Sequence, residues 1–211
     1  QIILGHDREL FGGMKKYTTG DGSQTRSIAV ADFNNDGWSD VVVANYGTDN
    51  IGIFFGSTYG NLNSMITYST GTNSGPHSVV TSDLNNDNHN DIVVANSKSN
   101  TIDIFLGFGN GTFVLTSFYS TGDRAVPSTV AVGDFNNDHK FDIIIANSGA
   151  NYILILYGNG DGTFGNERSY PLGYQYLPSS LAVNDLNKDG WMDIIIACLH
   201  TNSIETLVKM C

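Results

Sequence analysis

The stretch Ala31–Asn45 reads ADFNNDGWSDVVVAN, and three further stretches repeat it: SDLNNDNHNDIVVAN from Ser82, GDFNNDHKFDIIIAN from Gly133 and NDLNKDGWMDIIIAC from Asn184. Their leading aspartates, Asp32, Asp83, Asp134 and Asp185, stand 51 residues apart without a gap. The glycines Gly5, Gly56, Gly107 and Gly158 keep the same spacing, as do Tyr17, Tyr68, Tyr119 and Tyr170. A fixed period of this length marks a repeat architecture in which each copy is one supersecondary unit.

Each copy resolves into four short strands, A to D. In the second copy these are about Ser78–Asp83, Asp91–Ala95, Thr101–Leu106 and about Thr112–Tyr119. Strand B is a continuous apolar run (Val41–Ala44, Ile92–Ala95, Ile143–Ala146, Ile194–Ala197), as expected of a strand buried on both faces. Strand D is mixed and reads as the wet outer strand. The C–D connections, Gly109-Asn110-Gly111 and Gly160-Asp161-Gly162, call for positive φ. Helical periodicity is absent. Four-stranded antiparallel sheets with both faces covered, recurring every ~50 residues, predict an all-β protein: one β-propeller domain over residues 1–211 with about four blades. The chain opens and closes within strand C. Pairing of the first strand D (near Phe11–Tyr17) with the last strand C (Ile204–Val208) would close a four-bladed ring. The alternative is a piece of a larger propeller, and a start at Gln1 fits a processed chain or an excised fragment.

The A–B loops carry the chemistry. Residues 32–40, 83–91, 134–142 and 185–193 read Asp-x-Asn-x-Asp-x-x-x-Asp. Oxygen donors at positions 1, 3, 5 and 9, with a backbone carbonyl at 7, suit a hard cation that takes six to eight oxygens, which is calcium. The donor sets are Asp32, Asn34, Asp36, Trp38 and Asp40; Asp83, Asn85, Asp87, His89 and Asp91; Asp134, Asn136, Asp138, Lys140 and Asp142; and Asp185, Asn187, Asp189, Trp191 and Asp193. The residue at 7 contributes its carbonyl, so its side chain is free to vary. Position 6 is Gly37, Asn88, His139 and Gly190, where the loop is expected to turn through positive φ. On that ground the first and fourth sites are expected tightest and the third weakest. The alternative reading of the same residues is a set of Asx turns that hold themselves by side-chain-to-backbone bonds. Four copies in register, each with three like charges within nine residues, favour the metal reading of about four calcium ions. These loops hold 12 of the 21 acidic residues, and four divalent ions would take the net charge from −11 to −3.

These loops, the apolar strand beside them and the Phe55-Gly56 and Leu106-Gly107 turns resemble the FG-GAP repeats of the integrin α-subunit propeller and its VCBS-type relatives. The resemblance covers essentially the whole chain. It implies calcium in the A–B loops, an extracellular or cell-surface setting, and a role in adhesion or ligand binding. Integrin-like propellers usually have seven blades, some without the loop; here four repeats all carry it, so integrin function is not transferred.

Composition excludes other classes. Ten basic residues scattered among 21 acidic ones make no phosphate-binding surface, which argues against nucleic acid. No apolar run reaches membrane-spanning length. Neither a nucleophile–base constellation nor a separate carboxylate pair is evident, so the chain reads as a non-enzyme. The partner, a protein or a glycan, is expected on the face opposite the calcium loops, where the D–A segments differ between copies. Arg26, His77, Arg124, Tyr174 and Tyr176 are the candidate contacts there. A lectin-like propeller and the non-catalytic propeller of a larger secreted enzyme are the alternatives. Asn110-Gly111-Thr112 is an accessible glycosylation acceptor. Cys198 and Cys211 fall too far apart along a hairpin to bridge. The five histidines share no repeat position and read as surface or turn residues, and Trp38 and Trp191 read as packing on their loops.

Overall fold

The computed structural model describes residues 2–5 and 11–209. An N-terminal hairpin joins β1 (Ile2–Gly5) to β2 (Phe11–Lys15). The first blade comprises β3 (Thr25–Ala31), β4 (Asp40–Asn45), β5 (Asn50–Phe54) and, beyond a small β6–β7 ladder (Gly56–Ser57 and Asn61–Leu62), β8 (Ile66–Ser69). The second comprises β9 (Pro76–Ser82), β10 (Asp91–Asn96), β11 (Thr101–Gly107) and β12 (Phe113–Ser120). The third comprises β13 (Pro127–Gly133), β14 (Asp142–Asn147), β15 (Tyr152–Gly158) and β16 (Phe164–Pro171). The fourth comprises β17 (Pro178–Asn184), β18 (Asp193–Cys198) and β19 (Ser203–Leu207). Every pairing is antiparallel, in the A-B-C-D order of a propeller blade, and all but β5–β8, which steps over the small ladder, join sequence neighbours.

The apolar B strands explain why blades stack. All six residues of β4, β10 and β14 are buried. Because side chains alternate across a strand, Val42 and Ala44 of the first blade meet Ile92 and Val94 of the second in one core, while Val93 and Ala95 turn to Ile143 and Ile145 of the third. Ile144 and Ala146 then face Ile194, Ile196 and Cys198 of the fourth. Outer tyrosines pack edge-on against the next blade, Tyr17 on Phe54, Tyr68 on Phe105 and Phe113, Tyr119 on Phe164, and Tyr170 packs against the core of the third seam. Tyr17 therefore places its hairpin as the outer half of a blade preceding the first.

Among the described residues the ring closure by mixed termini does not form. β2 pairs with β1, its own hairpin partner, and β19 has β18 as its one neighbour among the described residues. The A strands pack in series, β3 on β9, β9 on β13 and β13 on β17. A local hairpin closes a short loop, whereas bridging the termini needs a contact across almost the whole chain. Among the described residues nothing covers the far face of the fourth blade. Ile204 is 71% exposed, while its counterparts Ile51, Ile102 and Ile153 are 0% exposed.

Each blade carries a β-bulge at the start of its A strand. Arg26, His77, Ser128 and Ser179 are the extra residues there. A bulge re-aims its side chain and bends the strand. Cys198 is a buried free thiol whose pKa is raised by burial and then by Glu205. Cys211 lies outside the described residues.

Candidate metal centre

The four A–B loops fold alike. In the first, Asp32 Oδ1 and Asn34 Oδ1 both accept the Asp36 N–H, at 3.3 and 3.2 Å. Asp32 Oδ2 accepts the Gly37 N–H at 2.8 Å, Asp36 Oδ1 accepts the Trp38 N–H at 2.8 Å, and the Asn34 amide donates to Asp36 Oδ2 at 2.9 Å. The double acceptance recurs at Asp87, Asp138 and Asp189, over 2.9–3.2 Å. Side-chain oxygens of positions 1 and 3 are thus gathered at one point in every loop, and position 5 is tied to position 3. The backbone allows this by turning through the left-handed region twice. Position 6 does so as expected: Gly37, Asn88, His139 and Gly190 have φ of 84, 65, 63 and 87°. Position 4 does so as well, with φ of 57, 59, 58 and 63° at Asn35, Asn86, Asn137 and Lys188. That second turn was visible as three asparagines in four copies, since Asn tolerates this region better than other non-glycine residues.

Position 9 has a different environment. Asp40 is fully buried; its Oδ2 accepts the Phe33 N–H at 2.8 Å and its Oδ1 the Gly56 N–H at 2.6 Å. Asp91, Asp142 and Asp193 repeat this with Leu84 and Gly107, Phe135 and Gly158, and Leu186 and Lys209. This carboxylate staples its loop to strand C. Burial raises the pKa of Asp40 and Asp142 and pushes Asp91 up to about 6; the two N–H bonds pull the other way, and the loop's other two aspartates add repulsion.

The donor set is all oxygen, as a hard cation requires. Among the described residues no three His, Cys, Asp or Glu side chains come together at metal-holding distance, because position 9 is turned to the backbone. Positions 1, 3 and 5 fit a cation best: their oxygens are already gathered, and each carboxylate oxygen keeps a second lone pair beyond its N–H bond. The carbonyls of Trp38, His89, Lys140 and Trp191 follow directly in the loop.

The first three loops are each braced by the next blade. The Asn90 amide donates to the Asp32 carbonyl at 3.0 Å, and the Gly111 N–H to the Phe33 carbonyl at 3.0 Å. In the second seam Gly162 donates to Leu84, and in the third Lys209 reaches Phe135. The C–D glycines take the expected positive φ (Gly109 66°, Gly111 81°, Gly160 81°, Gly162 80°). At Gly111 and Gly162 a Cβ would strike Phe55 and Leu106 of the preceding blade.

At the opposite end, Arg26 and His77 of the expected contacts come together around Tyr46. Arg124 and Tyr174 stand exposed on separate D–A turns, and Tyr176 packs on the third seam's core. Tyr46 and Lys98, missed in the sequence, complete the group.

The FG-GAP-like repeat model matches residues 32–94, 83–145 and 134–196, a continuous span over most of the chain. The fold and loops define a repeat β-propeller, and the chain belongs to the FG-GAP-like repeat family. No curated protein matches it in sequence. Among solved structures it is similar to a putative 6-phosphogluconolactonase from Bacteroides uniformis, with 14% identity, TM-score 0.68, and 97% of this chain and 59% of that one covered. A virginiamycin B lyase from Staphylococcus aureus gives 14% identity and TM-score 0.60 over 89% and 56%. A lectin from Agrocybe aegerita that recognises non-reducing terminal N-acetylglucosamine gives 20% identity and TM-score 0.54 over 79% and 45%. At these identities the likeness is one of fold. The chain spans somewhat over half the length of the first two.

Proposed function

We propose that the chain is a calcium-binding propeller module of an extracellular or cell-surface protein, serving adhesion or partner recognition rather than catalysis. One observation carries this reading: four loops in register each gather the oxygens of positions 1 and 3 at a single N–H and hold position 5 beside them. Asp32, Asn34 and Asp36, with the Trp38 carbonyl, would hold the first ion, and the equivalent residues the other three. Asp40, Asp91, Asp142 and Asp193 shape the loops and contribute their remaining lone pairs. Oxygen-rich loops of this kind span a wide affinity range, the weak end of which serves extracellular modules. The neighbouring lactonase-like, lyase and lectin propellers show that the fold supports both catalysis and binding, so function rests on the site.

The test is terbium luminescence. Trp38 and Trp191 occupy position 7 of the first and fourth loops, so their indoles would sensitise a lanthanide bound there. Emission that rises on adding terbium, falls on adding calcium, and disappears in the Asp36→Ala, Asp189→Ala double variant supports the reading. A native chain with no sensitised emission, or emission indifferent to both substitutions, refutes it.

A further inference from the structure

The end of the propeller away from the acidic loops carries a cation–aromatic group that the repeat does not require. Tyr46 follows strand β4 in the B–C turn of the first blade. The Arg26 guanidinium carbon lies 4.7 Å from the centroid of its ring, and Lys98 Nζ lies 4.1 Å from it. His77 meets the same ring edge-on with centroids 6.4 Å apart. Arg26 and His77 are both bulge residues, one from each of two adjacent blades, and Lys98 comes from the second blade's B–C turn.

The group is held in place. His77 Nδ1 donates to the Ser128 carbonyl at 2.8 Å, which fixes the ring. The Lys98 stem lies against Gly75, where a Cβ would come within 2.7 Å of its Cγ. Stacking on Tyr46 restrains both cations, so less side-chain entropy is lost when a ligand binds. Among the described residues neither Arg26 nor Lys98 forms an ion pair. Asp49 feels the charge of Lys98, but its oxygens accept the Asn73 and Gly75 N–H groups at 2.8 and 3.0 Å. A chain of net charge −11 thus gathers, around one half-buried ring, a histidine and two cations without an ion-pair partner among the described residues; Lys98 Nζ also donates to the Tyr46 carbonyl at 3.5 Å.

The other repeats serve as internal controls. The counterparts of Arg26 in the third and fourth repeats are Ser128 and Ser179; those of Tyr46 are Ser148 and Leu199; those of Lys98 are Gly149 and His200. Those blades form without the group, so it answers to something other than folding.

We infer that Arg26, Tyr46, His77 and Lys98 form a docking site for an acidic segment of a partner protein, with Asp or Glu carboxylates received by the Arg26 fork and Lys98. The guanidinium suits a bidentate carboxylate. Two cations already lie 4.7 and 4.1 Å from the tyrosine centroid and compete with a sugar for that ring, which favours a peptide over a glycan. The inference names the ligand chemistry of the module proposed above and rests on its being a recognition module, but not on its metal.

The experiment uses fluorescein-labelled hexaglutamate, with hexaglutamine and a heparin-derived octasaccharide as the other probes. Fluorescence anisotropy is read on the intact chain in low salt with calcium in excess, so that the peptide does not act as a chelator. The native chain should bind hexaglutamate and not hexaglutamine. The Arg26→Ser, Lys98→Gly double variant, carrying the third repeat's own residues, should lose at least tenfold with an unchanged circular dichroism spectrum. Tyr46→Ser alone should lose severalfold by releasing the cations. No binding of hexaglutamate, equal binding by the double variant, or tighter binding of the octasaccharide than of the peptide would each overturn the inference. Peptide binding without terbium emission would leave this site standing and remove calcium from the function; the converse would do the reverse.

Discussion

Replacing Asp103 should stabilise the protein at neutral pH. This carboxylate sits in β11, is 4% exposed, and has no hydrogen-bond partner for Oδ2. Burial pushes its pKa up to about 6 from 3.8, and Asn96 and Thr101 beside it offset only part of that rise. The folded chain therefore binds this proton more tightly than the unfolded chain. Stability contributed by the protonated acid is fully present below about pH 4 and is lost as pH rises through about 6. A shift of about two units corresponds to roughly 3 kcal/mol at neutral pH. Asp103→Asn removes the charge at nearly constant shape, and Asp103→Leu installs the residue that the third repeat carries as Leu154. Urea unfolding of native and variant chains, with chelator throughout, gives the difference at each pH. It should approach 3 kcal/mol in favour of Asp103→Asn at about pH 7.5 and nearly vanish by about pH 4. A variant no more stable than the native chain at neutral pH, or an advantage that persists undiminished in acid, would refute the reasoning.

Calcium at about 100-fold over its dissociation constant should add roughly 2.7 kcal/mol per independent site; melts with calcium and with chelator should differ by many degrees, magnesium should substitute poorly, and coincident melts would remove the metal. Lys188→Asn should stabilise the fold by about 0.5–1 kcal/mol, because Lys188 has φ 63° where the other loops place Asn; the strain also moves the fourth site behind the first in the expected affinity order, so in a calcium titration Asp36→Ala should remove the tightest step. Ile153→Ala should cost roughly 2–5 kcal/mol and Ile204→Ala roughly 0.5 or less, since the first side chain is buried in the third seam and the second is exposed. Equal losses in that pair would mean that the open face is covered in solution.

The period made most of this fold legible. Strand B was readable because its residues are apolar on both faces, and strands A, C and D followed by copying one blade onto the next. Ring closure was not readable. The repeat fixes which faces of a blade are apolar, but the angle between neighbouring blades comes from side-chain volumes across three separate cores. In the loops, residue types gave the oxygen donors and the left-handed turn at position 6. They did not disclose that Asp40, Asp91, Asp142 and Asp193 spend both oxygens on backbone N–H groups, because the second donor, Gly56 N–H for Asp40, lies 16 residues on and outside the motif. Tyr46 and Lys98 escaped notice for the opposite reason. They break the repeat, and a reading built on what recurs passes over what occurs once.

The two ends of the first seam are joined by one packed core. At the acidic end, Asn90 and Gly111 of the second blade hold the Asp32–Phe33 backbone of the first loop, and Asn35 meets His89 at 3.0 Å. At the other end, the same two blades share Tyr46, and the Val79 N–H donates to Ser27 Oγ at 3.2 Å. Between them lies a closely packed core of Phe33, Val42, Ile51, Ile92 and Phe105. Close-packed interiors shift as units rather than deform continuously. A cation at Asp32 and Asp36 would relieve the repulsion in the loop that Asn90 braces, and so fix the second blade's angle to the first. That angle sets the separation of Arg26 and Lys98, which stand on different blades. On the reading proposed above, cations in the acidic loops would set the rigidity of the seam, and the residues that depart from the repeat would set what its far end recognises.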